Sequence, residues 1–234
     1  APTVKRLSLE LGGNAPFIVF EDADMATVLE SAMASKFRNC GQTCIASNRF
    51  LVHRSRCDEF VEGIVDRIRP LAIGHGLDAG VDLGPLINEA GRDKVHRIVT
   101  DAIDQGATLH LGGTIPDDLY YPPTVLSGID SSMQASREEI FGPIVAIRSF
   151  ETEEEAIRLA NSTPWGLAAY VFTQDLNRGW RFPEALEFGM VGLNTGRIST
   201  PQAPFGGIKQ SGMGREGSHF GIDEYLNLKY TCVG

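Results

Sequence analysis

The chain has 234 residues, a net charge of -9, and 42% hydrophobic against 22% charged residues, a balance that excludes a disordered chain. No apolar run approaches the roughly 20 residues a membrane-crossing helix needs, and the acidic balance excludes a generic nucleic-acid or anionic-membrane surface while permitting a local basic pocket. The four cysteines, Cys40, Cys44, Cys57 and Cys232, show no C-x-x-C spacing and no nearby histidine cluster, which excludes a disulfide framework and a structural zinc and points to a reducing compartment.

Residues 4–9 alternate apolar and polar as a strand does. Residues 17–20 are a compact apolar run with β-branched members, the pattern of a buried strand. Glu21, Asp22 and Asp24 then stand at the start of a helix over 25–37, where the macrodipole favours carboxylates. Val28, Leu29, Ala32, Met33 and Phe37 follow at helical spacing. Gly41 breaks that helix, and residues 49–53 are extended. Ser55 is expected to cap a helix that runs to Arg69 and stops at Pro70. Residues 74–85 are glycine-rich and form a loop.

The next helix covers 88–105, with Val95, Ile98, Val99, Ala102 and Ile103 inward and Gly106 closing it. Strands follow at 108–111, 124–126 and 145–150. Thr152 caps a helix whose first turn holds Glu153, Glu154 and Glu155, an acidic triplet that suits dipole compensation on a solvated face. Residues 168–173 form a strand, 175–187 a helix despite Pro183, and 190–194 a strand. Strands alternating with helices imply right-handed crossovers. The expected class is therefore α/β, an open, mostly parallel twisted sheet with flanking helices. Residues 225–233 alternate like an isolated strand, which is an exposed edge or pairs with another chain.

Chemistry concentrates in Phe37-Arg38-Asn39-Cys40-Gly41-Gln42-Thr43-Cys44-Ile45-Ala46-Ser47-Asn48, a helix-to-strand junction. A cysteine there can present its sulfur to a cleft, with backbone N–H groups free to bind an anion. Upstream lies Glu10-Leu11-Gly12-Gly13-Asn14-Ala15-Pro16, a carboxylate on a glycine turn. Downstream come Glu138-Glu139-Ile140-Phe141-Gly142-Pro143 and Pro204-Phe205-Gly206-Gly207-Ile208-Lys209-Gln210-Ser211-Gly212-Met213-Gly214. Taken alone, each piece suits an ordinary role: a buried cysteine, a solvated glutamate, a plain turn. Together, in this order, the four motifs resemble the aldehyde dehydrogenase superfamily.

The resemblance implies roles residue by residue. Cys44 is the nucleophile, forming a thiohemiacetal and then a thioester, and its own N–H receives the oxyanion. Glu10 is the general base that activates water. Glu139 and Phe141 contact the nicotinamide end of NAD or NADP, and Phe205 lines the aldehyde tunnel. Asn194 is expected to organise active-site backbone, and Lys209 to be a surface lysine. No metal is implied. The resemblance is nearest to the succinate-semialdehyde dehydrogenases, through Ser35-Lys36-Phe37-Arg38-Asn39, Asn194-Thr195-Gly196 with Ile198-Ser199, and Gly214-Arg215-Glu216-Gly217. In that group Arg38 and Ser199 would hold the distal carboxylate of a semialdehyde. Arg197 adds a second positive charge near Ser199, which could extend the range to longer substrates such as glutarate semialdehyde. Position 46 is alanine where many relatives carry a second cysteine, and Cys40 stands four before the nucleophile instead.

The resemblance also organises the chain. Residues 1–10 would be the last strand of a nucleotide-binding domain that lies upstream, 11–218 the catalytic domain, and 219–234 an oligomerisation tail that pairs with a neighbouring subunit. The chain opens without an initiator Met and meets a mid-chain motif at once. It is expected to be the C-terminal half of a longer protein, inactive alone, cytoplasmic in a bacterium or mitochondrial in a eukaryote. Competing readings are a CoA-acylating semialdehyde dehydrogenase, against which Glu10 argues, and a catalytically silent binding or structural fragment.

Overall fold

The structure, a computed structural model, describes residues 2–234. In chain order the elements are β1 (Leu9–Glu10), β2 (Ala15–Val19), α1 (Met25–Lys36), β3 (Ser47–His53), α2 (Cys57–Ile68), α3 (Glu89–Asp104), β4 (Thr108–Leu111), β5 (Thr124–Ser127) and α4 (Gln134–Arg137). They continue with β6 (Ile144–Phe150), α5 (Glu153–Asn161), β7 (Trp165–Gly166), β8 (Ala168–Phe172), α6 (Leu176–Ala185), β9 (Met190–Leu193), β10 (Ile208–Lys209) and β11 (Gly212–Met213). Seven of the strands form one sheet in the order β4-β5-β6-β3-β2-β8-β9, parallel throughout except for the antiparallel pair β4 and β5. The expected α/β class and mostly parallel sheet are present.

The central strand β2 is buried along its whole length, because both faces of the sheet are covered. Its residues alternate between two cores. Phe17 and Val19 face Val28 and Leu29 of α1 and Phe60 and Ile64 of α2, while Ile18 and Phe20 face Leu159 of α5 and Phe182 of α6. A third cluster lies under α3, where Val95, Ile98, Val99 and Ala102 pack on Leu126, Ile144 and Ala146. Caps set several helix starts: the Asp24 carboxylate accepts the Thr27 N–H, the Asn88 side chain the Gly91 N–H, and the Thr152 hydroxyl the Glu155 N–H. Among the described residues no helix is long and apolar enough to cross a membrane.

Several expectations change. Residues 4–8 form no strand; only Leu9–Glu10 pairs, antiparallel with Gly212–Met213. The preceding residues are exposed and meet no ladder partner, so their alternating pattern has no sheet to join. Residues 225–233 likewise form no strand. A short helical turn, Gly221–Tyr225, gives way to exposed backbone in which Leu228 and Tyr230 lie open to solvent. Ser55 caps nothing: it sits inside a 3-10 turn, Arg54–Arg56, and its N–H is taken by His53. Ile103 is exposed at the end of α3. Glu153 is more than a solvated charge, since it accepts from Arg181 at 2.6 Å and from Arg178 at 3.2 Å.

Candidate active site

The amino ends of β2, β3 and β6 open on one side of the sheet, and the loops entering them carry Gly12-Gly13, Cys44, and Glu139 with Phe141. The carboxyl ends, where open α/β sheets usually bind ligands, lie opposite. Asn194 belongs to that opposite end. Its amide accepts the Thr173 N–H at 3.0 Å and donates to the Thr173 carbonyl at 2.9 Å, so it organises backbone remote from Cys44.

The loop before Cys44 is wound more tightly than a glycine break requires. After Phe37 closes α1, Asn39, Cys40 and Gly41 are all left-handed, with φ of 50°, 56° and 74°. Each non-glycine residue in that region is unfavourable by about 1–2 kcal/mol, so the turn needs external support. The Asn39 amide donates to the Gln42 carbonyl at 3.0 Å. Gln42 in turn donates to Pro85 O and accepts the Ile87 N–H at 2.9 Å. Gly41 abuts the Gly142 carbonyl so closely that a Cβ there would lie 2.3 Å from its oxygen. Asn39, Gly41 and Gln42 therefore shape one turn and press it against the Glu139–Pro143 segment.

Glu10 reaches the same place from β1. Its strand is held by β11, and the Ser211 hydroxyl donates to the Gly12 carbonyl at 2.7 Å while accepting the Gly166 N–H at 3.0 Å. Gly13 then passes against Cys44, where a Cβ would lie 2.7 Å from the cysteine carbonyl oxygen. The Gly13 N–H donates to Glu139 Oε1 at 2.9 Å. Beyond β3, the Tyr170 hydroxyl donates to the Ile45 carbonyl at 2.7 Å and fixes the residue after Cys44.

The half-buried Cys44 thiol feels the Glu10 carboxylate nearby. Burial first, then the neighbouring Glu10 carboxylate and, last, the charge of Glu139 push the thiol up to about 12, against the pull of the cysteine's own N–H. In this arrangement Cys44 rests as a thiol with a carboxylate in its surroundings. Its N–H has no other acceptor among the described residues, which leaves it available to an oxyanion. Cys40, four residues earlier, faces the other way, into the cluster with Leu86, Val95 and Ile140.

Glu139 and Phe141 sit on a turn fixed by buried amides. Asn48 donates to Asn14 Oδ1 at 2.6 Å and to Glu138 O at 2.9 Å, and accepts the Ile140 N–H at 3.1 Å. Phe141 is left-handed at φ 59° and 38% exposed, a strained aromatic presented to solvent. Burial raises the Glu139 carboxyl, opposed by the Gly13 N–H and by Lys94. Behind this turn lies a residue with no marked signal in the sequence. Lys36 is 1% exposed and its Nζ has no hydrogen-bond partner. Burial lowers its pKa to about 7, with the charges of Cys40 and Glu139 pulling it back up. A lysine in the last turn of a helix ordinarily snorkels to solvent; only the tertiary contact of α1 with the 138–143 turn covers this one.

A cavity of about 350 Å³ adjoins the Cys44 turn, bordered by Thr43 and Ile45 on either side of Cys44 and by Arg38, Tyr170, Arg197 and Ser199. Larger hollows, of about 510 Å³ near Arg54 and His110 and of about 610 Å³ near Trp180, do not border that turn. Arg38 and Ser199 thus share one wall system beside Cys44. Phe205 stands outside that wall, half-buried against the core that also contacts Cys44, with its N–H donating to Glu216 O at 2.8 Å. Lys209 pairs with Glu187 at 3.0 Å on the surface.

The aldehyde dehydrogenase family profile matches residues 1–231. The mitochondrial succinate-semialdehyde dehydrogenase of Oryza sativa is 51% identical over 236 residues, covering all of this chain and 45% of the relative. The NADP(+) succinate-semialdehyde dehydrogenase of Escherichia coli is 49% identical, again over all of this chain and 49% of the relative. The crystal structure of succinate-semialdehyde dehydrogenase from Burkholderia pseudomallei superposes with a TM-score of 0.98 at 53% identity, covering 99% of this chain and 48% of that one. The chain spans about half the length of the curated relatives it matches.

Proposed function

The chain belongs to the aldehyde dehydrogenase family, and on that premise we propose that the protein it forms oxidises succinate semialdehyde to succinate with NAD or NADP as acceptor. The observation that carries this reading is the convergence on one turn of the Cys44 thiol, with the Glu10 carboxylate near it, and a cavity walled by Arg38 and Ser199. Arg38 and Ser199 hold the distal carboxylate, which places the aldehyde carbon toward Cys44. Glu10 takes the thiol proton as the sulfur adds to that carbon, and the Cys44 N–H stabilises the oxyanion. Once the adduct has become a thioester, the exposed Glu10 gives the thiol proton to solvent, takes a proton from the water that attacks the thioester carbon, and returns it to Cys44, which leaves as a thiolate when the C–S bond breaks.

A nicotinamide nucleotide, when bound, supplies the two-electron acceptor for the intervening oxidation. The exposed, strained ring of Phe141 and the Glu139 carboxylate beside Gly13 suit one end of such a cofactor. They serve that end alone, so residues 1–234 by themselves are proposed to lack turnover. The tail at 225–233 is proposed to pair as a strand with a neighbouring copy.

The test is NAD(P) reduction by the full-length protein with succinate semialdehyde, beside a Cys44→Ala control. Turnover that Cys44→Ala abolishes is expected. Turnover that survives Cys44→Ala, or reduction by the 234-residue chain alone above that control, contradicts the respective parts of the reading.

A further inference from the structure

The cavity beside Cys44 is lined by two guanidiniums, Arg38 and Arg197, and by no carboxylate. Neither guanidinium meets a hydrogen-bonding or ionic partner among the described residues, although the chain as a whole is acidic by nine charges. Arg197 does not reach the wall by chance of a floppy loop. Gly196 before it is buried so closely on α1 that a Cβ would lie 2.2 Å from the Ser31 carbonyl oxygen, and Ile198 after it packs over Gly192. The Thr195 hydroxyl accepts the Arg197 N–H at 3.2 Å. The backbone is thus anchored on both sides of Arg197, and the exposed side chain between the anchors lines the cavity.

One carboxylate satisfies one guanidinium bidentately. A second, uncompensated guanidinium in the same hollow raises the potential felt by any anion there and is answered best by a second negative group. Space allows it. A four-carbon semialdehyde bearing one extra carboxylate has about ten non-hydrogen atoms, and at roughly 30 Å³ for each water-sized group it needs ~300 Å³, within the 350 Å³ present.

Building on the semialdehyde reading above, we propose that Arg197 is a specificity-determining residue that selects semialdehydes whose remote end is doubly anionic, Arg38 taking one carboxylate and Arg197 the other.

The experiment compares kcat/KM of the full-length enzyme for succinate semialdehyde, glutarate semialdehyde and (2-oxoethyl)malonate, the last being succinate semialdehyde with a second carboxylate on its remote carbon. Wild type is expected to favour the doubly anionic substrate by about tenfold or more. Arg197→Leu should lose about thirtyfold on it and about threefold on succinate semialdehyde, removing most of the preference, and Arg197→Lys should retain part of it. Ethane-1,1,2-tricarboxylate should protect Cys44 from iodoacetamide at lower concentration than succinate does, and Arg197→Leu should erase that difference. Equal losses on all substrates, no loss on any, or an Arg197-dependent preference for glutarate semialdehyde each overturns the proposal. Arg38→Leu separates the two levels: if it spares all three carboxylated substrates and the enzyme handles butanal equally well, the carboxylate-binding reading itself falls.

Discussion

The two ends of the site are built from different material. At the reacting end, Glu10, Cys44 and Glu139 are brought together by backbone: Gly13 against the Cys44 carbonyl, Gly41 against Gly142, and a carboxylate bonded to a main-chain N–H. At the recognition end, Arg38, Arg197 and Ser199 are exposed side chains on the wall of an open hollow. The reacting end is acidic and pushes its thiol away from ionisation; the recognition end is basic and unpaired. A backbone-built end admits almost no substitution, because the neighbouring chain already fills the space a Cβ would take. A side-chain-built end can be altered one residue at a time. On the proposed function, the chemistry would then be the fixed part of this molecule and the substrate the adjustable part.

The largest expected effect probes the reacting end. Glu10→Gln removes the base and should lower thioester hydrolysis by about three orders of magnitude, the range of general-base contributions. The same change removes a neighbouring negative charge that holds the proton on Cys44. Alkylation of Cys44 by iodoacetamide at pH 8 should then rise, by roughly tenfold for each unit the thiol falls. A hydrolysis defect without faster alkylation would place Glu10 away from the sulfur. Next comes the recognition end: Arg38→Leu should raise KM for succinate semialdehyde by about two orders of magnitude, from a loss of about 2–3 kcal/mol for a charged hydrogen bond, and change KM for butanal little. Equal losses on both would make Arg38 part of the scaffold and erase the contrast between the two ends.

A smaller effect is expected behind the reacting end. The folded pKa of Lys36, about 7, lies below the 10.5 of an ordinary lysine. Below pH 7 both folded and unfolded chains carry the charge, and the full cost of burying it is present. Between pH 7 and 10 the unfolded chain binds the extra proton, so stability climbs with pH. Lys36→Met should stabilise the protein by about 1–2 kcal/mol at pH 6 and by little at pH 10. Denaturant melts at the two pH values check this, and a gain that does not change with pH would show that folded and unfolded chains bind the same protons over that range, so that burial does not depress Lys36.

Helices and most strands were legible because their signals are local. Apolar spacing gave α1 and α3, the Asp24, Asn88 and Thr152 caps sit where side-chain chemistry demands, and the run at 17–20 marked the buried centre of the sheet. The candidate residues Cys44 and Glu10 were legible through motif order. Their contact was not, because it depends on β11 holding β1 from some two hundred residues away. Lys36 escaped notice for the same reason: a helix-terminal lysine has no local signature of burial. The alternation at 4–9 misled over residues 4–8 in the opposite sense, since a strand pattern forms a strand only where a ladder partner exists. Asn194 was assigned to the wrong end of the sheet because sequence carries strand identity but not which end faces the chemistry.

The smallest expected effect tests how sharply the nucleophile turn divides its two sides. Cys40 is 3% exposed among Leu86, Val95 and Ile140, and burial pushes its thiol up to about 11, with the Lys36 charge drawing it back. It is also left-handed, at φ 56°. Cys40→Ala keeps the strained backbone and loses a buried sulfur, about 1 kcal/mol of stability. Cys40→Gly gives up the Cβ as well but relieves about 1–2 kcal/mol of left-handed strain, so the two variants should melt within about 1 kcal/mol of one another. Both should keep turnover within about twofold and leave Cys44 as the residue alkylated, because Cys40 meets neither Glu10 nor the cavity. If Cys40→Ala lowers turnover tenfold while its melting is unchanged, the turn passes its core packing through to the reacting sulfur. The division between a scaffold side and a chemical side at residues 39–44 would then be wrong.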